Sequence, residues 1–156
     1  MTISSFGNPI SNPPLGFRFG VSFLLMGIIP QPVDIRFQSV SGMEVKLITK
    51  TYDEGFTDDK VTLPEKLEYG NLVLRRGVLL GSPLSLSIER IFNKMQISPS
   101  DVLLFVLNES LLPVKTWRFK GAYPVRWSVS GVDATQSSVL IEEIEMVYRN
   151  FSTLTL

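Results

Sequence analysis

Phe17, Phe19, Val21 and Phe23 alternate with Arg18, Gly20 and Ser22. A period of two places all four apolar residues on one face of an extended chain, which predicts a strand with one buried face. The same period returns in "VDIRFQSV", where Val33, Ile35 and Phe37 oppose Asp34, Arg36 and Gln38. A further β-rich segment, "SGMEVKLITKTY", follows after a bend or bulge at Gly42. "YGNLVLRRGVLL" reads as another strand and "DVLLFVLNE" as one buried on both faces. "VKTWRFKGAYPVRWSVSG" reads as two short strands broken near Gly121 and Pro124. "SSVLIEEIEMVYRNF" fits a helix by spacing and a strand by propensity, and strand is chosen.

One segment reads clearly as a helix. Ser82 can cap it and Pro83 fits its first turn, while Leu84, Ile88, Ile91, Phe92 and Met95 recur at threes and fours. About seven or eight strands and one flanking α-helix make a mainly β fold, an antiparallel β-barrel or sandwich. A chain of 156 residues needs one domain for this. Residues 17–156 are assigned to it. Residues 1–16, rich in Pro, Gly, Ser and Asn, read as a flexible N-terminal arm.

Composition narrows the chemistry. Fifteen basic and fifteen acidic residues leave no net charge, so long-range attraction to phosphate is missing and no specific nucleic-acid binding is expected. Cysteine and histidine are both absent, which removes thiolate and imidazole metal sites and the Ser-His and Cys-His couples. The apolar run "VSFLLMGIIP" is about half of a membrane-crossing helix, so no membrane insertion is expected, and the first residues do not read as a secretion signal. No cofactor, metal or catalytic residue is assigned.

The stretch "KTWRFKGAYPVRW" holds both tryptophans. Trp117 and Phe119 share one strand face, with Arg118 and Lys120 on the other, and Trp127 alternates with Arg126 in the same way. Stacking platforms for single strands need exposed rings beside cations on one face. Phe17, Phe19, Trp117, Phe119 and Trp127 are therefore expected to be core aromatics. Glu142, Glu143 and Glu145 could supply an acid/base pair for glycan cleavage, but a solvated strand face or an intersubunit ion pair explains them as well. Arg75 and Arg76 must point to opposite faces, so that one is tucked inward and paired; a subunit boundary and ordinary surface charge stay open for them. The charged stretch "DEGFTDDKVTLPEK" reads as a long projecting hairpin or loop without the ligand pattern of a calcium loop.

Taken in order, "FRFGVSF", "SVSGMEV", a charged loop leading to "YGNLVLRRGV", a helix, "WRFKGAYPVRW" and "IEEIEMVYRNF" resemble the tail-tube family of contractile phages and bacterial contractile injection systems over about residues 17–151. The resemblance implies a non-enzymatic structural subunit. Such subunits form homo-hexameric rings that stack into a hollow inner tube within a sheath, beside spike and baseplate proteins. It implies assembly in the bacterial cytoplasm and residence in a phage tail or a released injection particle. Carried onto this chain, Tyr52, Asp53, Glu54, Phe56, Asp58, Asp59 and Lys60 match the family's inter-ring loop. Arg75, Arg76, Glu142 and Glu145 are expected at intersubunit contacts. The inserted "MGIIPQPVDIR" and Gly121, where many relatives carry Asn, leave room for a tube-initiating ring. The alternative from the residues alone is a monomeric β-barrel that binds an apolar ligand.

Overall fold

The computed structural model describes residues 18–25, 29–30, 34–78, 82–130, 135 and 140–154. The predicted N-terminal arm and Phe17 lie outside these residues. The described chain runs β1 (Arg18–Leu25), β2 (Ile29–Pro30), β3 (Asp34–Phe37), β4 (Ser39–Ser41), β5 (Val45–Asp53), β6 (Lys60–Tyr69), β7 (Leu72–Gly77), α1 (Pro83–Lys94), β8 (Ser100–Leu107), β9 (Pro113–Val129), β10 (Ile141–Val147) and β11 (Asn150–Leu154). Every pairing is antiparallel.

The main sheet has the order β2-β1-β8-β9-β10-β7-β4, with β3 also on β1 and β11 also on β9. Its two ends are joined by the chain itself. β3 pairs with β1, β4 pairs with β7, and only Gln38 separates them, its N–H donating to the Arg75 carbonyl at 2.8 Å. The sheet therefore curls into a half-barrel, as alternating strands with one strongly apolar face require.

β9 turns the other corner. The predicted break at Gly121 and Pro124 is instead one strand of 17 residues. Its first part pairs with β8 and β11 and its last part with β10. Gly121 takes φ of 61°, and the side-chain parity changes there, from buried Phe119 to buried Ala122. A local bend satisfies the bulge without ending the ladder, because its partners continue on both sides. The bend is pinned by Asp101, which accepts from the Gly121 N–H at 3.0 Å and from Arg118 Nε at 2.8 Å.

Desolvation pushes the Asp101 carboxyl up, but the Gly121 N–H and the Arg118 guanidinium outweigh it and hold the group below the usual carboxylate range. A depressed carboxyl stabilises the fold above its unfolded pKa and loses that contribution as pH falls through the folded value. Asp101→Asn is expected to cost about 1 kcal/mol at neutral pH, reduced by its partial exposure. Thermal unfolding should show the gap between the two proteins closing below about pH 4. A gap that stays constant down to pH 2 would refute the assignment.

Leu72, Leu74, Val21, Val102, Leu104, Phe119, Ile144 and Met146 fill the inside of the curl and are fully buried. On β1, Val21 is fully buried and Phe19 and Phe23 pack against this core as the alternation predicts. Ser22 and Leu24 on the opposite face are buried too, so β1 lies deeper than its alternation implies. Tyr69, Phe119, Tyr148 and Phe151 form a ring cluster with centroids 4.8 to 6.0 Å apart. Burial, and secondarily Tyr69, raises the Tyr148 hydroxyl pKa.

Ser82 caps α1 as expected: its Oγ accepts from the Ser85 N–H at 3.3 Å. Leu84 and Ile88 are buried against the sheet. Phe92 and Met95, assigned to the same face by spacing, are exposed instead, because the last turn of α1 runs past the core that covers its first turns.

Candidate assembly site

The charged segment predicted to project does so, and the projection is longer than the sequence implied. β5 and β6 pair only with each other, from Val45 opposite Tyr69 to Asp53 opposite Lys60, in a two-stranded sheet separate from the main one. Asp53, Glu54, Phe56, Asp58, Asp59 and Lys60 lie at its tip and are exposed, with Phe56 wholly so. Tyr52 is exposed just below, with Lys50 Nζ 5.4 Å from its ring centroid. Leu47 and Leu67 face each other across the hairpin and are also exposed. An isolated two-stranded hairpin with open apolar side chains is marginal in water. Its side chains fit a surface that lies on something else.

The hairpin leaves the body through a tight neck. Gly42 has φ of 83°, and a Cβ on it would fall 1.7 Å from the Asn71 carbonyl oxygen. Gly70 lies against Gly42 from the other arm, and its N–H donates to the Glu44 carbonyl at 2.9 Å. The bend read at Gly42 from sequence is this neck.

Arg75, Arg76, Glu142 and Glu145 were assigned together to intersubunit contacts; the structure separates them into two pairs of opposite character. Arg76 and Glu142 are directly opposite on β7 and β10 and are 0% and 2% exposed, with Arg76 Nε 2.9 Å from Glu142 Oε2. Arg76 Nη2 donates to Ser82 Oγ at 2.6 Å and to Ser85 Oγ at 2.7 Å. Ser85 Oγ donates to Glu142 Oε1 at 2.9 Å. Trp127 Nε1 donates to the same oxygen at 2.8 Å. The guanidinium also lies 5.0 Å from the Phe37 ring centroid. This cluster clamps α1 to three strands from within the chain, so the intersubunit assignment is corrected for Arg76 and Glu142. A fully buried pair leaves no charge for a neighbour.

Arg75 and Glu145 face outward. Arg75 Nε is 3.0 Å from Glu143 Oε2, Arg126 Nη1 is 2.7 Å from Glu143 Oε1, and Asn71 Nδ2 donates to Glu145 Oε1 at 2.7 Å. Glu142 and Glu145 are three residues apart on one strand and so project to opposite faces, which rules out an acid/base pair between them. Among the described residues, no group of three or more Asp and Glu is placed to hold a metal ion.

Of the expected core aromatics, Phe119 is fully buried, and Phe19 and Trp117 pack against the core from its margin. Trp127 is corrected. It is 37% exposed, because its indole N–H turns to the buried carboxylate and leaves the ring at the rim. Arg76 is the inward, paired member expected of the two adjacent arginines, but its partner Glu142 was missed although both positions carry a signal. Arg76 continues the parity of Leu72 and Leu74, and Glu142 that of Ile144 and Met146, so each charge stands at an inward-facing position.

The profile of T4-like virus tail tube protein gp19 matches residues 15–152. A chain in the six-fold symmetrised baseplate of the anti-feeding prophage is 35% identical, with 92% of this chain and 97% of that one covered and a TM-score of 0.77. A chain in the sheath-tube complex of the PVC extracellular contractile injection system is 22% identical over 99% of this chain and 100% of that one, also at 0.77. Hcp1 of Flavobacterium johnsoniae shares the fold more distantly, at 17% identity, 86% and 94% coverage and a TM-score of 0.52. No curated protein sequence matches significantly. With nearly its whole length matched and a half-barrel sheet, one flanking helix and a projecting hairpin in place, this chain belongs to the gp19 tail tube protein family.

Proposed function

We propose that six copies of this chain form a ring and that rings stack into the inner tube of a contractile tail or extracellular injection particle, close to its baseplate end. The role is structural, and its partners are further copies, adjacent rings, the sheath and the spike or baseplate proteins. Assembly takes place in the bacterial cytoplasm. The observation that carries the reading is the hairpin: β5 and β6 stand apart from the body with Leu47, Phe56 and Leu67 uncovered. A protein that worked alone would expose this surface to water for no gain. Short edge strands such as β4 and β11 are likewise suited to pairing or packing within a ring. The baseplate end is favoured because the 35% identical relative comes from a baseplate, whereas the relative from a sheath-tube complex is 22% identical. In such a ring Arg75 and Glu145 remain available to a neighbour, and the residues from Tyr52 to Lys60 reach the next ring.

An apolar-ligand barrel finds no support inside the curl, which is filled by the buried side chains of the core. Negative-stain electron microscopy with mass photometry tests the proposal. Six-fold rings or tubes are expected, and Phe56→Asp should leave rings while shortening stacks by at least about tenfold, as removal of a central apolar anchor does. A uniform monomer that also fails to join baseplate components would overturn the reading.

A further inference from the structure

The apolar stripe of α1 is only half covered. Leu84 and Ile88 are buried, yet Phe92 on the same side is exposed and Met95 is 82% exposed, followed by exposed Ile97. Nothing among the described residues closes over this end. Met95 also ends the helix with φ of 53°, which fixes the direction in which the stripe leaves the body.

A second apolar surface lies elsewhere. The turn between β8 and β9 exposes Leu111, Leu112 (62% exposed) and, just beyond, Val114. This turn is rigid. Asn108 Oδ1 accepts from the N–H groups of Ser110 at 3.0 Å and Leu112 at 2.9 Å, and the Asn108 N–H donates to the Leu112 carbonyl at 3.0 Å. Leu111 is held at φ of 60°, a region that a leucine adopts only when its surroundings impose it. The turn is thus built in advance as a knob that offers two leucines to a partner.

The two surfaces sit at opposite ends of β8. The helix end leads into its first residue and the knob follows its last, and eight residues of strand set them about 25 Å apart. Their charges are complementary: exposed Lys94 precedes Met95, and exposed Glu109 precedes the leucine pair. A chain with two different, separated and complementary patches associates head to tail, the arrangement that yields closed rings or stacks of a single kind of subunit.

We infer that the Leu111–Leu112 knob of one copy seats on the uncovered end of α1, around Phe92, Met95 and Ile97, of a second copy, with Glu109 against Lys94. This contact rests on the proposed tube assembly and is distinct from the hairpin.

The chain has no cysteine, so Lys94→Cys with Glu109→Cys leaves one addressable pair. After assembly and mild oxidation, denaturing electrophoresis should show a ladder of linked chains that neither single variant gives. A ladder ending at six places the contact within the ring; one continuing past six places it between rings; both support it. Leu112→Arg is expected to lower the assembled fraction by at least about tenfold. Its far-ultraviolet circular dichroism should stay unchanged, since the residue is exposed. Lys94→Glu or Glu109→Lys should each weaken assembly, and the two together should restore it. Wild-type particles that form while the double-cysteine variant gives no ladder, or while Leu112→Arg assembles normally, overturn this contact and leave the tube assignment intact. The same holds if Leu112→Arg forms tubes but no longer recruits sheath or baseplate proteins, which would make one of those the occupant. A wild-type chain that stays monomeric even with baseplate components removes both.

Discussion

Glu142→Ala is expected to destabilise the chain by about 3 to 5 kcal/mol, the range for breaking a buried ion pair from one side. The size follows from what is left behind. Arg76 has no exposed surface, and without Glu142 its buried charge loses the carboxylate that lies 2.9 Å from its Nε. The Trp127 indole N–H and the Ser85 hydroxyl lose their acceptor at the same time. In a domain of this size the loss corresponds to a fall of about 10 °C or more in Tm. Replacing both charges, Arg76→Met with Glu142→Leu, should recover part of the stability, because it removes the buried charge while the Trp127 and Ser85 donors stay without their acceptor. Denaturant unfolding of the three variants is the check. A loss under about 1 kcal/mol for Glu142→Ala would mean that water reaches the clamp.

Gly42→Ala should be nearly as damaging, by a different route. An alanine at φ of 83° carries a backbone penalty of about 1 to 2 kcal/mol on its own. Its methyl would also lie 1.7 Å from the Asn71 carbonyl oxygen, a backbone atom that cannot turn aside. Asn71 directly precedes β7, whose Leu72 and Leu74 are fully buried, so relief by moving that segment is resisted by the core. The sum is about 3 kcal/mol or more, in line with overpacking added to strain. The effect should concentrate at the neck, giving faster amide hydrogen exchange in β4, β7 and the base of the hairpin than in β8 and β9. Gly55→Ala at the hairpin tip, where a Cβ meets nothing within 4 Å, is the matched control.

Local signals in the sequence carried well into the structure. Alternation located β1 and β3, Ser82 located the helix start, and Gly42 marked the neck, because each rests on a residue and its immediate neighbours. What failed depends on residues far apart in the chain. Arg76 and Glu142 are 66 positions apart, and three glutamates in one segment read as a solvated face or an intersubunit ion pair until β7 and β10 are laid side by side. Trp127 looked like core because its strand alternates, but the buried carboxylate that holds its N–H, and leaves its ring at the rim, lies on another strand. The break expected in β9 became a bend at Gly121, because β8 and β11 pair with the strand before it and β10 with the strand after it.

The single strand β9 also makes the two walls of the half-barrel one mechanical body. Its first part belongs to the wall of β1, β8 and β11, and its last part to the wall of β10, β7 and β4. One wall cannot slide along the other without stretching covalent bonds at the corner or breaking the ladders on both sides of it. A load applied to either wall is therefore shared by the whole subunit, while the β5–β6 hairpin, joined to the body at its base by the glycine neck and the Tyr69 ring, carries its tip outside that shared frame.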